Sequence, residues 1–62
     1  MTVETRFGPI NVKVARRGDE IINAQPEYDD CKSAAAAHSV PVKLVRDTAI
    51  AAYLANRDEQ DE

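Results

Sequence analysis

The chain has 62 residues, of which 44% are hydrophobic, and ten of the hydrophobic residues are alanines, which bury little area. A chain of this size buries only about 60% of the surface that its unfolded form exposes. These figures predict one small domain and argue against an enclosed active site. They also favour self-association or membership of a larger protein.

The net charge is -3, from 8 Lys and Arg against 11 Asp and Glu, and the last six residues carry all of it. Residues 1–56 are therefore neutral. Because phosphate binding relies on clustered cations, this balance argues against nucleic acid and anionic membranes as partners. It also predicts a single module at residues 1–56 and a disordered acidic tail at residues 57–62.

The cellular compartment is indicated by a single cysteine, Cys31, which cannot form an internal disulfide. A domain this small would need such crosslinks in an oxidising environment. No apolar segment approaches the roughly 18 residues of a membrane span, and the first residues do not resemble a signal peptide. The sequence therefore predicts a soluble, cytoplasmic protein.

The first 24 residues have the periodicity of strands. Ile10, Val12 and Val14 alternate with small or polar residues, which predicts a half-buried central strand. Turns at residues 7–9 and 16–19 place a shorter strand on each side, at about residues 2–6 and 20–24. Together the three strands would form an antiparallel meander.

The periodicity changes at Pro26, which suits the first position of a helix and precedes acids that favour the positive end of the helix dipole. Four alanines at residues 34–37 strengthen this helix, which ends before Pro41. A second helix is predicted from Pro41 to Leu54 or Ala55. The predicted fold class is α+β, a three-stranded antiparallel meander followed by a helical hairpin on one sheet face (βββαα).

The apolar positions predict both a core and a contact surface. Ile50 and Leu54 lie away from the helical stripe that contains Val45 and Ala49, so a monomer would leave them in water. We expect a homo-oligomer through the second helix, with scattered exposed apolar residues as the alternative. The predicted core residues are Val3, Ile10, Val12, Val14, Ile22, Tyr28, Cys31, Ala35, Val45, Ala49 and Ala52.

Strong local signatures of catalysis are absent from the sequence. Cys31 and His38 lie two helical turns apart, about 10 Å, which is too far for a catalytic dyad or a shared tetrahedral metal. The acids Glu27, Asp29 and Asp30 could bind Mg or Mn, although acids in a first helical turn are ordinary.

Four cations lie on or beside the predicted hairpin, and they could hold a phosphate group. Solvation and protection of the sheet edge against unwanted pairing are the alternative explanation. These cations are Arg6, Lys13, Arg16 and Arg17.

The two helices also have the spacing of a helix-turn-helix motif, through Ala35, Ser39 and Val45. The second helix offers only Lys43 and Arg46 for DNA contacts, and the spacing itself is a packing rule for two short helices. A small non-enzymatic interaction or regulatory protein of this type is therefore the alternative function.

Three segments carry a family resemblance: FGPINVKVA at Phe7–Ala15, NAQPEYDDC at Asn23–Cys31 and HSVPVKLV at His38–Val45. Together they resemble the C-terminal end of the nickel-insertion proteins of nickel-pincer-cofactor biosynthesis, the pathway that matures lactate racemase. Ser39 departs from the family pattern, which has glycine before the Val-Pro turn, and glycine is the usual residue in a left-handed helix cap.

The resemblance implies a CTP-dependent cyclometallase that inserts nickel into a pyridinium bis-thiocarboxylate mononucleotide, with Mg or Mn accompanying CTP. Full members are several times longer, so this chain would be a terminal module, inactive alone, with the rest of the nickel-insertion protein as its partner. Of the matched residues, Lys13 is expected to bind phosphate, beside Arg16 and Arg17. Glu27 and Asp30 are the expected ligands of the divalent ion.

Overall fold

The structure, a computed structural model, describes the backbone of residues 1–60 and the side chains of residues 1–56. It confirms the predicted α+β class and the βββαα order. Three antiparallel strands lie in the order β1-β2-β3 and are followed by two helices. The elements are β1 (Thr2–Thr5), β2 (Gly8–Arg17), β3 (Glu20–Pro26), α1 (Tyr28–His38) and α2 (Val42–Gln60).

The central strand β2 pairs with a different neighbour along each half of its length. Residues 8–11 pair with β1, and residues 12–17 pair with β3. The predicted turn at residues 7–9 is shorter than expected, because Gly8 and Pro9 already belong to β2. In the second turn Gly18 has a φ of 60°, a left-handed conformation that glycine adopts without strain.

The sheet continues directly into α1. Pro26 pairs with Val12 as the last residue of β3, so the prediction that it begins the helix was wrong. Beyond it, the Glu27 N–H donates to the Asn11 carbonyl at 2.8 Å, and Asp30 Oδ2 accepts the Asn11 N–H at 2.9 Å. These two bonds fix the first turn of α1 against β2.

The core lies between one sheet face and α2, which contacts all three strands, while α1 packs chiefly against α2. Seven of the predicted core residues are buried, and Val14 and Ala52 are partly buried beside them. The buried residues are Val3, Ile10, Val12, Cys31, Ala35, Val45, Ala49 and Tyr53.

Two predicted core residues are exposed instead. Ile22 is 56% exposed because the register of β2 with β3 shifts between Ala15 and Arg16, which leaves Ile22 without a partner in the ladder. Such a bulge ends the strict alternation on which the prediction relied. Tyr28 is 64% exposed at the first position of α1, so its ring lies largely outside the core.

Helix α2 also differs from its prediction. The sequence pattern placed Tyr53 with Ile50 and Leu54, away from the stripe that contains Val45 and Ala49. In the structure Tyr53 is buried with Val45 and Ala49, so it faces the core and that placement was wrong. The helix extends to Gln60, past its predicted end at residue 54 or 55. The predicted module boundary at residue 56 therefore falls inside α2, and residues 61–62 of the predicted tail lie outside the described residues.

Helix α1 ends at Ser39 in the left-handed conformation, with φ 55° and ψ 46°. The cap forms although serine replaces the glycine of the family pattern. The Ser39 N–H donates to the Ala36 carbonyl at 3.4 Å, and the Val40 N–H donates to the Ala35 carbonyl at 3.0 Å. These bonds satisfy two helix-end carbonyls, at the cost of placing a Cβ in the left-handed region.

Replacing Ser39 by Gly should therefore raise the free energy of unfolding by about 0.5 to 1 kcal/mol. Left-handed geometry costs about 1 to 2 kcal/mol for a residue with a Cβ, and the greater freedom of glycine in the unfolded chain offsets part of this gain. Urea denaturation measures the change. As a matched control, Ser33→Gly in the exposed interior of α1 should lower stability, and a loss of stability in both variants would contradict the strained cap.

Candidate functional site

The sheet face opposite α2, here called the outer face, carries two of the predicted site residues together. Lys13 lies on it because Val12 and Val14 on either side face the core. Its Nζ lies 3.8 Å from Glu27 Oε1, and the two side chains are 78% and 44% exposed. An exposed ion pair of this kind contributes about 0 to 1 kcal/mol, so a ligand can separate the two groups at little cost.

The other predicted phosphate residues, Arg16 and Arg17, are exposed at the far end of β2. At about 3.3 Å per residue, Arg16 is roughly 10 Å along the strand from Lys13. The three cations thus follow one strand and do not surround one point. A single phosphate group could not contact all of them, whereas a chain of phosphates lying along β2 would suit them better.

The two predicted metal ligands have separate partners. Glu27 faces Lys13, whereas Asp30 Oδ2 accepts the Asn11 N–H. Asp30 also lines a shallow groove in which Thr2 Oγ1 donates to Asn11 Oδ1 at 2.6 Å. Within the described residues, no three acidic, histidine or cysteine side chains are arranged to hold a metal ion. A divalent ion here would need additional oxygen ligands, such as the phosphates of a nucleotide.

Cys31 and His38 make unrelated contacts. Cys31 is buried, and its pKa is raised by that burial and by the nearby charge of Asp30, with Arg46 opposing. A protonated thiol is a poor nucleophile. The His38 ring packs edge-on against Phe7, with 5.4 Å between the ring centroids.

The buried thiol has a consequence for stability at high pH. The unfolded chain ionises Cys31 near its ordinary pKa of 9.0, whereas the folded chain holds the proton to higher pH. Above that pH the unfolded state binds fewer protons than the folded state. The free energy of unfolding should therefore fall as pH rises beyond about 9. Urea denaturation at pH 8 and pH 10 should show a smaller decline for Cys31→Ala than for the wild type. Equal declines would remove Cys31 as the cause.

The cations on which a helix-turn-helix function would depend are paired. Asp47 lies 2.7 Å from Lys43 Nζ and 4.0 Å from Arg46 Nη1. The hydrogen bond from Lys43 lowers the pKa of Asp47, so this carboxylate stays charged. The start of α2 therefore presents little net positive charge to DNA.

No helix in the described part of the chain combines the length and the apolar character needed to cross a membrane.

A second groove, here called the β3–α2 groove, was not predicted from sequence. Its walls include Ile22, which is 56% exposed, and Leu54, which is 46% exposed. Among the residues whose side chains the structure describes, the buried Tyr53 hydroxyl has no hydrogen-bond partner, and leaving such a group unpaired costs about 1 to 3 kcal/mol. The two adjacent isoleucines, Ile21 and Ile22, were the available signal, because strict alternation in a strand cannot bury both. The groove is lined by Ile21, Ile22, Asn23, Ala24, Ile50, Tyr53 and Leu54.

Comparisons with known proteins agree with the family resemblance. Residues 1–46 match the family described as nickel insertion protein. A protein of Gloeobacter violaceus described as a nickel insertion protein is 40% identical over 60 residues, covering 97% of this chain and 14% of the relative. The pyridinium-3,5-bisthiocarboxylic acid mononucleotide nickel insertion protein of Thermotoga petrophila is 46% identical over 45 residues, covering 73% of this chain and 11% of the relative.

A solved structure is also similar. It is the C-terminal domain of a cyclometallase involved in the synthesis of the NPN cofactor of lactate racemase, in its apo form. The TM-score is 0.79 at 36% sequence identity, over 86% of this chain and 36% of that chain. The present chain thus spans about one seventh of the Gloeobacter relative and about one third of the solved domain.

Proposed function

Because this chain belongs to the nickel insertion protein family, we propose that it acts as the C-terminal module of a CTP-dependent cyclometallase that inserts nickel during nickel-pincer-cofactor synthesis in the cytoplasm. The observation that carries the proposal is the match to the solved cyclometallase domain, with a TM-score of 0.79. Since the chain covers 36% of that domain, we propose that it works together with the remaining part and is not catalytic alone. Nickel is the inserted substrate.

Within this proposal the outer face binds the phosphates of CTP together with Mg or Mn. The Lys13–Glu27 pair supports this assignment, because its partners have the two charges that a metal-bound triphosphate requires. Lys13 would leave Glu27 and donate to a phosphate oxygen, while Glu27 would turn its oxygens to the divalent ion. Arg16 and Arg17 would contact phosphates further along β2, and Asp30 would contribute through its second oxygen.

Titration of the chain with CTP in the presence of Mn tests this role, with random duplex DNA as the competing ligand class. We expect saturable binding of CTP that requires the metal, and no binding of duplex DNA. Failure to bind CTP would place the nucleotide site in the remaining part of the larger protein. Binding of DNA without CTP would instead favour the small regulatory protein.

Self-association through α2 is a separate prediction and not part of this proposal. Leu54 is exposed and Ile50 is half-buried, so both have apolar surface that another polypeptide could contact. The homo-oligomer predicted from sequence through these residues stays a prediction. Sedimentation at micromolar concentration measures it directly. A species of 6.8 kDa, the mass of one chain, would contradict the homo-oligomer.

A further inference from the structure

We propose that the β3–α2 groove and the free edge of β3 form one docking site, which binds an extended segment from the remaining part of the nickel-insertion domain as a fourth strand. Of the proposed function, this inference requires only that the chain is part of a larger nickel-insertion protein. It does not require the CTP site, so a failure to bind CTP would not contradict it.

The edge of β3 is suited to strand addition. β3 is the last strand of the sheet, and no strand of the described residues pairs with its outer side. Sheet edges are usually protected by charged side chains, yet Glu20 is the only charged residue of β3. Pro26, the last residue of β3, has no N–H and cannot donate a hydrogen bond to an added strand. Residues 21–25 are therefore the ones that can supply main-chain hydrogen bonds.

The groove beside this edge supplies apolar contacts. The bulge places Ile22 outside the ladder and among the residues that line the groove, opposite Leu54 of α2. Ile22 is 56% exposed and Leu54 is 46% exposed, so both retain apolar surface for a partner. Alternate side chains of an added strand point to the same face, and apolar ones would enter this groove while the main chain pairs with β3.

The extent of the family domain identifies the occupant. The present chain covers 36% of the solved cyclometallase domain, so most of that domain consists of residues that this chain does not contain. The open edge of β3 lies next to the open apolar groove, so one extended segment from the rest of such a domain could contact both at once. A second copy of the chain is the competing occupant of the same surface.

The test uses the Gloeobacter violaceus relative, shortened to remove the 60 residues that this chain matches, as the probe. We expect the wild-type chain to bind it in a one-to-one complex, and Ile22→Asp and Leu54→Asp each to weaken binding at least tenfold. Leu44→Asp is the matched control, because Leu44 is exposed on the same helix and outside the groove. Circular dichroism confirms that each variant is folded.

Several outcomes would overturn the proposal. One is equal binding by the groove variants and the control, and another is the absence of binding by the wild type. A third is a dimer of the chain alone that dissociates in the groove variants, which would make a second copy the occupant. Hydrogen exchange on the intact relative gives a check that does not depend on the shortened probe: the strand that matches β3 should be protected as strongly as the one that matches β2, and fast exchange there would also overturn the proposal.

Discussion

Replacing Val12 by Asp should abolish the cooperative unfolding transition of the chain. Val12 is 3% exposed, and the inward position offers a carboxylate no cationic partner among the buried residues. Burying an unpaired charge costs several kcal/mol. A chain of 62 residues has a total stability of only about 3 to 9 kcal/mol at typical values per residue. The variant should therefore lose most or all of its folded population.

Thermal melting followed by circular dichroism measures this effect, with Ala15→Asp as the control. Ala15 is exposed on the same strand, so the same carboxylate there remains in water and should change stability by less than about 1 kcal/mol. A Val12→Asp variant that melts like the wild type would show that β2 presents its other face to α2.

Replacing Lys13 by Ala should weaken the binding of metal-bound CTP by about 10- to 150-fold. The loss corresponds to one charge-assisted hydrogen bond, roughly 1.5 to 3 kcal/mol. Lys13 is 78% exposed, so the substitution should leave the fold intact. Isothermal titration with CTP and Mn measures the change, and Lys32→Ala on the exposed surface of α1 is the control. Equal affinity in the Lys13 variant would remove Lys13 from the site.

The Lys13–Glu27 pair allows a sharper experiment with Glu27→Gln. If Glu27 contributes an oxygen to the divalent ion, this variant should bind CTP more weakly in the presence of Mn. If Glu27 only forms an ion pair with Lys13, the same variant should bind CTP more tightly, because the Lys13 ammonium group then has no carboxylate partner to leave. The sign of the change therefore separates a metal ligand from a competing partner.

The sequence predicted the order of elements because the two-residue period of strands and the roughly 3.6-residue period of helices are distinct. Alternation in β2 and the alanine-rich helix identify their elements without tertiary information. The bulge could not be read in this way, since a one-residue insertion in a ladder depends on both strands, and Ile22 was misplaced as a result. Tyr53 was missed because the direction in which α2 faces the sheet depends on packing with all three strands.

The candidate site was predictable only in part. Lys13 and Glu27 were chosen through the family resemblance, and the structure shows that they are neighbours. The hydrogen bond from the Asn11 N–H to Asp30 joins residues 19 positions apart, and no local pattern indicates it. The β3–α2 groove likewise combines elements that are distant in sequence, so it becomes visible only in the folded chain.

The position of α2 in the chain also has a consequence for biosynthesis. This helix contributes Val45, Ala49 and Tyr53 to the core, and it follows every other element in sequence. Ribosomes add about 5 to 20 residues per second, so the 19 residues of α2 take about 1 to 4 s to synthesise. During that interval Val3, Ile10 and Val12 lack the helix that buries them, so the nascent strands present apolar side chains that a chaperone can bind.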